Sequence, residues 1–206
     1  MFVEDHMTPN PRTVCAEDTL QTVRALMDRH GFRHVPVVDS GGRLVGMVTD
    51  RQVRSAIGYD RQLGEKLTVA EVMDPHPPTI PATAALDEAV GLFFRKHIGA
   101  LLVMRQDELV GIVTRHDVIG AFFIVLGLDQ TGKRVEVALP DVREDLAHAF
   151  GALRSSGEDI ITAVVSRMRR DGGEPALYLR VKKKAQRQIE RLLRDAALVL
   201  LEPEHD

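Results

Sequence analysis

Apolar residues recur along this chain with two periods, and the alternation between them itself repeats. Leu20, Val23 and Leu26 fall on one face of a helix, which Gly31 ends. Asp18 is the expected N-cap, with Gln21 three residues on. Val35, Val37 and Val38 then make a short buried strand, Asp39-Ser40-Gly41-Gly42 a turn, and residues 44–48 a returning strand. A second helix follows over about residues 50–57. Ahead of these elements Pro9 and Pro11 hold the entry extended, because each ring fixes its own φ and restricts the residue before it. The unit reads β-α-β-β-α.

The same unit returns. MTPNPRTV, beginning at Met7, matches MDPHPPTI, beginning at Met73, and Leu20 matches Leu86. A one-residue deletion in the turn then aligns Leu44 with Leu109, Gly46 with Gly111 and Thr49 with Thr114. In the second copy Leu86, Ala89, Val90 and Phe93 form the helix face, and Gly99 is the expected stop. Strands over 100–104 and 109–113 flank a turn, and a helix over about 115–126 closes the unit. That helix is apolar on most sides, so it needs cover from a partner surface. The stretch 59–67 reads as a polar linker.

From Lys133 the pattern changes. Strands are expected over 134–139, 160–165, 176–181 and 198–201, with helices carrying Leu146, Ala149, Phe150 and Leu153, and then Ile189, Leu192 and Leu193. Asp171-Gly172-Gly173 reads as a hairpin turn. The order βαββαβ is ferredoxin-like. The fold class is therefore α/β (α+β): a pair of β-α-β-β-α repeats over 1–60 and 61–127, followed by a ferredoxin-like domain over 128–206.

Composition narrows the function classes. With no Trp and 4% aromatics the core must be aliphatic, and a net charge of -3 with both signs interspersed attracts no nucleic acid over the whole molecule. The basic run Arg180, Lys182, Lys183, Lys184 and Arg187 lacks interleaved aromatics and reads as a solvated strand end and helix start. Cys15, the only cysteine, fits a reducing compartment and reads as an apolar filler. No apolar leader or membrane-length run is seen, so a cytoplasmic protein without membrane contact is expected. The eight His show no metal-ligand spacing, and no catalytic set is readable. The stretch 127–134 imitates a phosphate-binding loop, but Arg134 stands where Ser or Thr is needed and the segment runs from helix to strand, the reverse order. It reads as an interdomain linker.

Met-Thr-Pro-x-Pro at 7–11, His-Val-Pro-Val-Val-Asp at 34–39, Gly-Met-Val-Thr at 46–49 and Gly-Ile-Val-Thr-Arg-His-Asp at 111–117 resemble a tandem CBS pair, or Bateman module, across about residues 1–127. The C-terminal pattern, with Pro140-Asp141, resembles an ACT domain, and the combination resembles bacterial acetoin-utilisation regulatory proteins. Val142, Arg143 and Glu144 depart from the ACT pattern, which often places Gly after Pro-Asp, and this puts amino-acid binding in doubt.

The resemblance implies a regulatory, non-enzymatic sensor. Its ligand, AMP, ADP, ATP or S-adenosylmethionine, would sit between the repeats, with no resident cofactor or metal. It further implies a homodimer acting on an unidentified protein target, with a ligand-independent dimerisation scaffold as the rival. One cleft carries the full motif: Thr114 and Asp117, the latter accepting from ribose hydroxyls, facing Thr8, Thr13, Phe32, Arg33 and His34, with His116 a phosphate candidate. The other has Gln52 for the Asp, Asp74 for Thr8 and Gly99 for Arg33, so a single working site is expected. Thr114 and Asp117 equally suit a helix cap. Only one of the two equivalent helix starts carries that pair, which favours the ligand role.

Overall fold

The computed structural model describes residues 1–58, 60–166 and 174–201, arranged as two compact units, Met1–Ile119 and Gly120–Asp206. The first unit holds both repeats. Repeat one contains β1 (Thr8–Pro9), β2 (Val14–Cys15), α1 (Leu20–His30), β3 (His34–Val38), β4 (Leu44–Thr49) and α2 (Asp50–Ile57). After a helix α3 (Arg61–Lys66), repeat two supplies β5 (Thr79–Pro81), α4 (Leu86–Lys96), β6 (Ala100–Arg105), β7 (Glu108–Thr114) and α5 (Arg115–Val125). The division between the units falls inside α5, ahead of the expected boundary at 127/128.

Each repeat lends its entry segment to the other. β1 pairs with β7, Thr8 opposite Ile112 and Pro9 opposite Gly111, so the second sheet runs β1-β7-β6-β5. Reciprocally, Met47 of the β2-β3-β4 sheet and Asp74 exchange two backbone hydrogen bonds, each 2.9 Å. The exchange continues upstream: Phe2 bridges Ala85, and Thr68 bridges Thr19. Val3 and Val69, in short 3-10 turns, are fully buried, their amides donating to Ala84 and Asp18 carbonyls. The repeated Met and Gly belong to this swap. A Cβ on Gly46 would come within 2.7 Å of Met73 Sδ, and one on Gly111 would run into Met7 Sδ. Only glycine lets the opposite repeat approach so closely.

Several local expectations are corrected. Thr19, not Asp18, caps α1, accepting from the Thr22 amide at 3.2 Å; the Asp18 carboxylate instead accepts from the Cys15 amide at 2.7 Å, closing the turn ahead of the cap. Gly31 does end α1 in the left-handed region, but α4 ends at His97, also left-handed, before Gly99 is reached. The supposed linker contains α3, capped by Asp60, which accepts from the Gln62 and Leu63 amides. Cys15 is exposed, because β2 turns Val14 inward and its neighbour outward.

The second unit is built from β8 (Gly132–Ala138), α6 (Val142–Ala152), β9 (Ile160–Ser166), β10 (Ala176–Lys182), α7 (Gln186–Asp195) and β11 (Leu200–Leu201). The sheet order β11-β8-β10-β9, antiparallel throughout, is the ferredoxin-like arrangement. Ala149 of α6, Leu153 just past its end, and Ile189 and Leu193 of α7 cover Val135, Val137, Leu177, Leu179 and Val181. Phe150, expected inside, is 51% exposed. The expected turn at Asp171-Gly172-Gly173 lies outside the described residues. The phosphate-loop mimic does run from helix to strand, and it is held to its own unit: Gly127 abuts Ile161, and Arg180 Nη2 donates to the Gln130 carbonyl at 2.7 Å. In the basic run, Lys182 and Lys184 lie 3.7 and 3.9 Å from Asp159. Among the described residues no helix is long and apolar enough to cross a membrane.

Candidate functional site

The strand exchange opens a cavity of about 720 Å³ between the repeats, large enough for a small organic ligand. One wall is the β7–α5 junction. β7 ends at Thr114 and α5 starts at the next residue, so Thr114 is the N-cap: the Asp117 amide donates to Thr114 Oγ1 at 3.3 Å. Asp117 Oδ2 accepts in return from the Thr114 amide at 2.7 Å and from its hydroxyl at 2.8 Å. The other carboxylate oxygen has no hydrogen bond among the described residues, and Asp117 lines the cavity. Arg115, His116 and Ile112 complete this side.

Repeat one builds the facing wall. Thr8 is brought in by β1, and Asn10, left-handed at φ 48, turns the chain so that Pro11 and Arg12 follow it onto the wall. The segment between α1 and β3 adds Phe32 and Arg33, and β3 opens on His34. The Phe32 ring stacks on His30 with centroids 5.2 Å apart. The His34 ring lies against Gly99, where an added Cβ would approach Nε2 to 2.8 Å. Burial holds the His34 imidazole below its ordinary titration range. The Arg33 and Arg115 guanidiniums push the same way, and Asp50 opposes them.

Seven of the eight anticipated residues (Thr8, Phe32, Arg33, His34, Thr114, His116 and Asp117) therefore line one cavity. Thr13 does not. It is exposed just past the wall, and Arg12 stands there in its place. Arg12, Asn10 and Arg115 were not anticipated. The signal for Arg12 lies in the entry motif, one position before Thr13. Arg115 lies between Thr114 and His116 in the second repeat's motif.

The equivalent junction in repeat one corrects the capping argument. Gln52 does for α2 what Asp117 does for α5: its Oε1 accepts from the Thr49 amide at 2.8 Å and from the Thr49 hydroxyl at 2.7 Å. Both helix starts are thus capped, and capping alone does not distinguish them. The difference lies in what remains. Gln52 spends its Nε2 on the Val72 carbonyl at 2.9 Å, so both ends of its amide are engaged. Asp74, the counterpart of Thr8, turns its carboxylate back onto the His76 amide at 2.9 Å.

Comparison with known proteins bears on this first unit. The CBS domain-containing protein YhcV of Bacillus subtilis is 35% identical over 118 residues, 56% of this chain and 81% of that protein. The crystal structure of AcuB from Vibrio cholerae, assigned to acetoin utilization, matches with a TM-score of 0.57 at 32% identity, covering 63% of this chain and 95% of that one. CBSX2, solved in complex with AMP, matches with a TM-score of 0.54 at 25% identity, covering 63% and 98%. The sequence profile of the CBS domain matches residues 3–59 and 69–124, the two halves that exchange their entry strands. The chain belongs to the CBS domain family and carries the domain as a tandem pair.

Proposed function

We propose that this chain is a regulatory adenine-nucleotide sensor, not an enzyme. The nucleotide binds between the CBS repeats, and its binding is passed on through dimer or C-terminal-domain rearrangement to a protein target. The observation that carries this reading is the free oxygen of Asp117, set in a cavity whose other wall presents Arg33 and His34. A carboxylate already oriented by Thr114 can accept from a ribose hydroxyl without further ordering, and charge-assisted hydrogen bonds of this kind are the stronger ones. The likeness to CBSX2, solved with AMP, supports the ligand class. The likeness to AcuB supports a place in acetoin utilisation. The ferredoxin-like unit serves in this reading as an ACT-type domain that docks or dimerises. AMP, ADP and ATP are the ligands of first choice, S-adenosylmethionine a further one, and the engaged Gln52 amide leaves one site per chain.

The rival is a ligand-independent scaffold, favoured by the fact that Asp117 and Gln52 perform the same cap. Titration calorimetry of the full chain separates the two. On the sensor reading an adenine nucleotide binds once per chain. Asp117→Ala, by removing a charged acceptor worth about 1.5–3 kcal/mol, weakens it by about 10- to 150-fold. Gln52→Ala lowers stability through its lost cap but leaves affinity near the parent's. No heat with any adenine nucleotide, with both variants merely less stable, establishes the scaffold.

A further inference from the structure

The cavity wall is lopsided in charge. Arg12 of the entry segment, Arg33 ahead of β3 and Arg115 at the start of α5 all line it, together with the imidazoles of His34 and His116. Asp117 is the sole carboxylate on the same lining. Among the described residues none of the three guanidiniums is paired with a carboxylate. Arg115 spends Nε on the Ile98 carbonyl at 2.7 Å, which fixes its stem and leaves its outer nitrogens uncommitted. Asp50, the carboxylate that favours the charged form of His34, is engaged with Arg54. Three cations converging from two repeats on one concave surface focus a positive potential, and guanidinium groups match phosphate oxygens two at a time.

We propose that this cleft is built for adenosine polyphosphates: Arg12 and Arg115 act with Arg33 as specificity-determining residues that favour di- and triphosphate over monophosphate and over S-adenosylmethionine. The inference rests on the adenine-nucleotide reading and sharpens it. A single phosphate can engage one or two of the three guanidiniums and leaves the rest uncompensated. A longer phosphate chain brings a negative group to each. S-adenosylmethionine has the same ribose for Asp117 but brings a sulfonium and an ammonium against a single carboxylate, a net positive charge set on a cationic wall, and like charges at short range repel.

The test is calorimetry on the full chain in magnesium-free buffer at fixed ionic strength, with adenosine, AMP, ADP, ATP and S-adenosylmethionine as probes. The expected order is ATP and ADP tighter than AMP by about tenfold or more, as one added charge-assisted contact provides, with S-adenosylmethionine weakest. Arg12→Gln and Arg33→Gln, both at exposed positions, should each narrow the ATP-to-AMP ratio toward one, and raised salt should do the same in the parent. AMP binding as tightly as ATP, S-adenosylmethionine binding best, or an unchanged ratio in both variants overturns the polyphosphate preference while the nucleotide reading stands. Absence of binding by every adenosine compound removes the nucleotide reading and this inference with it.

Discussion

His34 is half-buried in a cleft that carries two arginines close to it, and it pays for that position in protonation. Its imidazole is held below the ordinary value mainly by burial and then by Arg33 and Arg115, with Asp50 pulling the other way. The sign of the linkage follows. Between the depressed folded value and the unfolded one near 6.5, the unfolded chain holds a proton that the folded chain refuses. This stability is therefore present above about pH 6.5 and is lost as pH falls through that window. Ligand-free protein should melt at lower temperature as pH drops from about 7.5 to 5.5, and His34→Gln should make that drop smaller. A phosphate-bearing ligand reverses the sign, because an anion beside the ring favours the charged form. Nucleotide affinity should rise as pH falls, with a shallower slope in His34→Gln. Identical pH slopes for parent and variant, in both melting and binding, would remove His34 from the account.

The entry segments, elements of a few residues each, organise the first unit. Their role shows how far the sequence could be read. The helices and core strands follow from periodicity, because Leu20, Val23 and their counterparts Leu86 and Ala89 repeat at helical spacing and are buried. The exchange does not follow from periodicity, because Met7 and Gly111, or Met73 and Gly46, are matched only in three dimensions. The repeat alignment named all four residues without giving their partners. The same limit explains the site: Thr114 and Asp117 share a helix start and were legible, whereas Arg12 joins them only because β1 crosses to β7. The cap on α2 is hidden in the sequence because Gln52 lacks the carboxylate of Asp117 as ligand chemistry yet carries an amide oxygen that caps equally well. The exchange can be tested through its glycines. Gly111→Ala forces Met7 and the strand it sits on to give way, and overpacking of this kind costs about 1–3 kcal/mol. Denaturant unfolding should show that loss, and Met7→Ala should recover part of it in the double variant, an interaction that independent sites would not show. A Gly111→Ala protein as stable as the parent would mean that Met7 swings aside freely and that the contact does not hold the halves together.

Assembly is the property of the whole molecule on which the proposed sensing depends. α5 leaves Ile119 65% exposed, with Phe122, Phe123, Ile124 and Val125 also open, and Phe94 on α4 is 82% exposed. Between α4 and α5 lies an apolar groove of about 310 Å³ lined by Val90, Phe93, Phe94, His97, Arg115, Val118 and Ile119. An apolar groove rimmed by exposed Phe94 and Ile119 marks an interaction site, and a second copy in a closed symmetric dimer is the commonest way to cover one. Light scattering should give twice the 22.9 kDa chain mass, and Phe94→Glu combined with Ile119→Glu should return the single-chain mass. Arg115 lines both this groove and the cavity between the repeats, and Asp117 lies on the same turn of α5. If the two surfaces are coupled through that helix start, the coupling must be reciprocal: the factor by which nucleotide changes the dimer dissociation constant equals the factor by which dimerisation changes nucleotide affinity. Sedimentation with and without ATP gives the first factor, and calorimetry on the parent and on the Phe94→Glu, Ile119→Glu chain gives the second. The expectation is a shift of about 5-fold or more in both, in the same direction. A parent that stays monomeric with and without ATP removes the dimer, and a dimer whose constant ignores ATP removes α5 as the route from cleft to assembly.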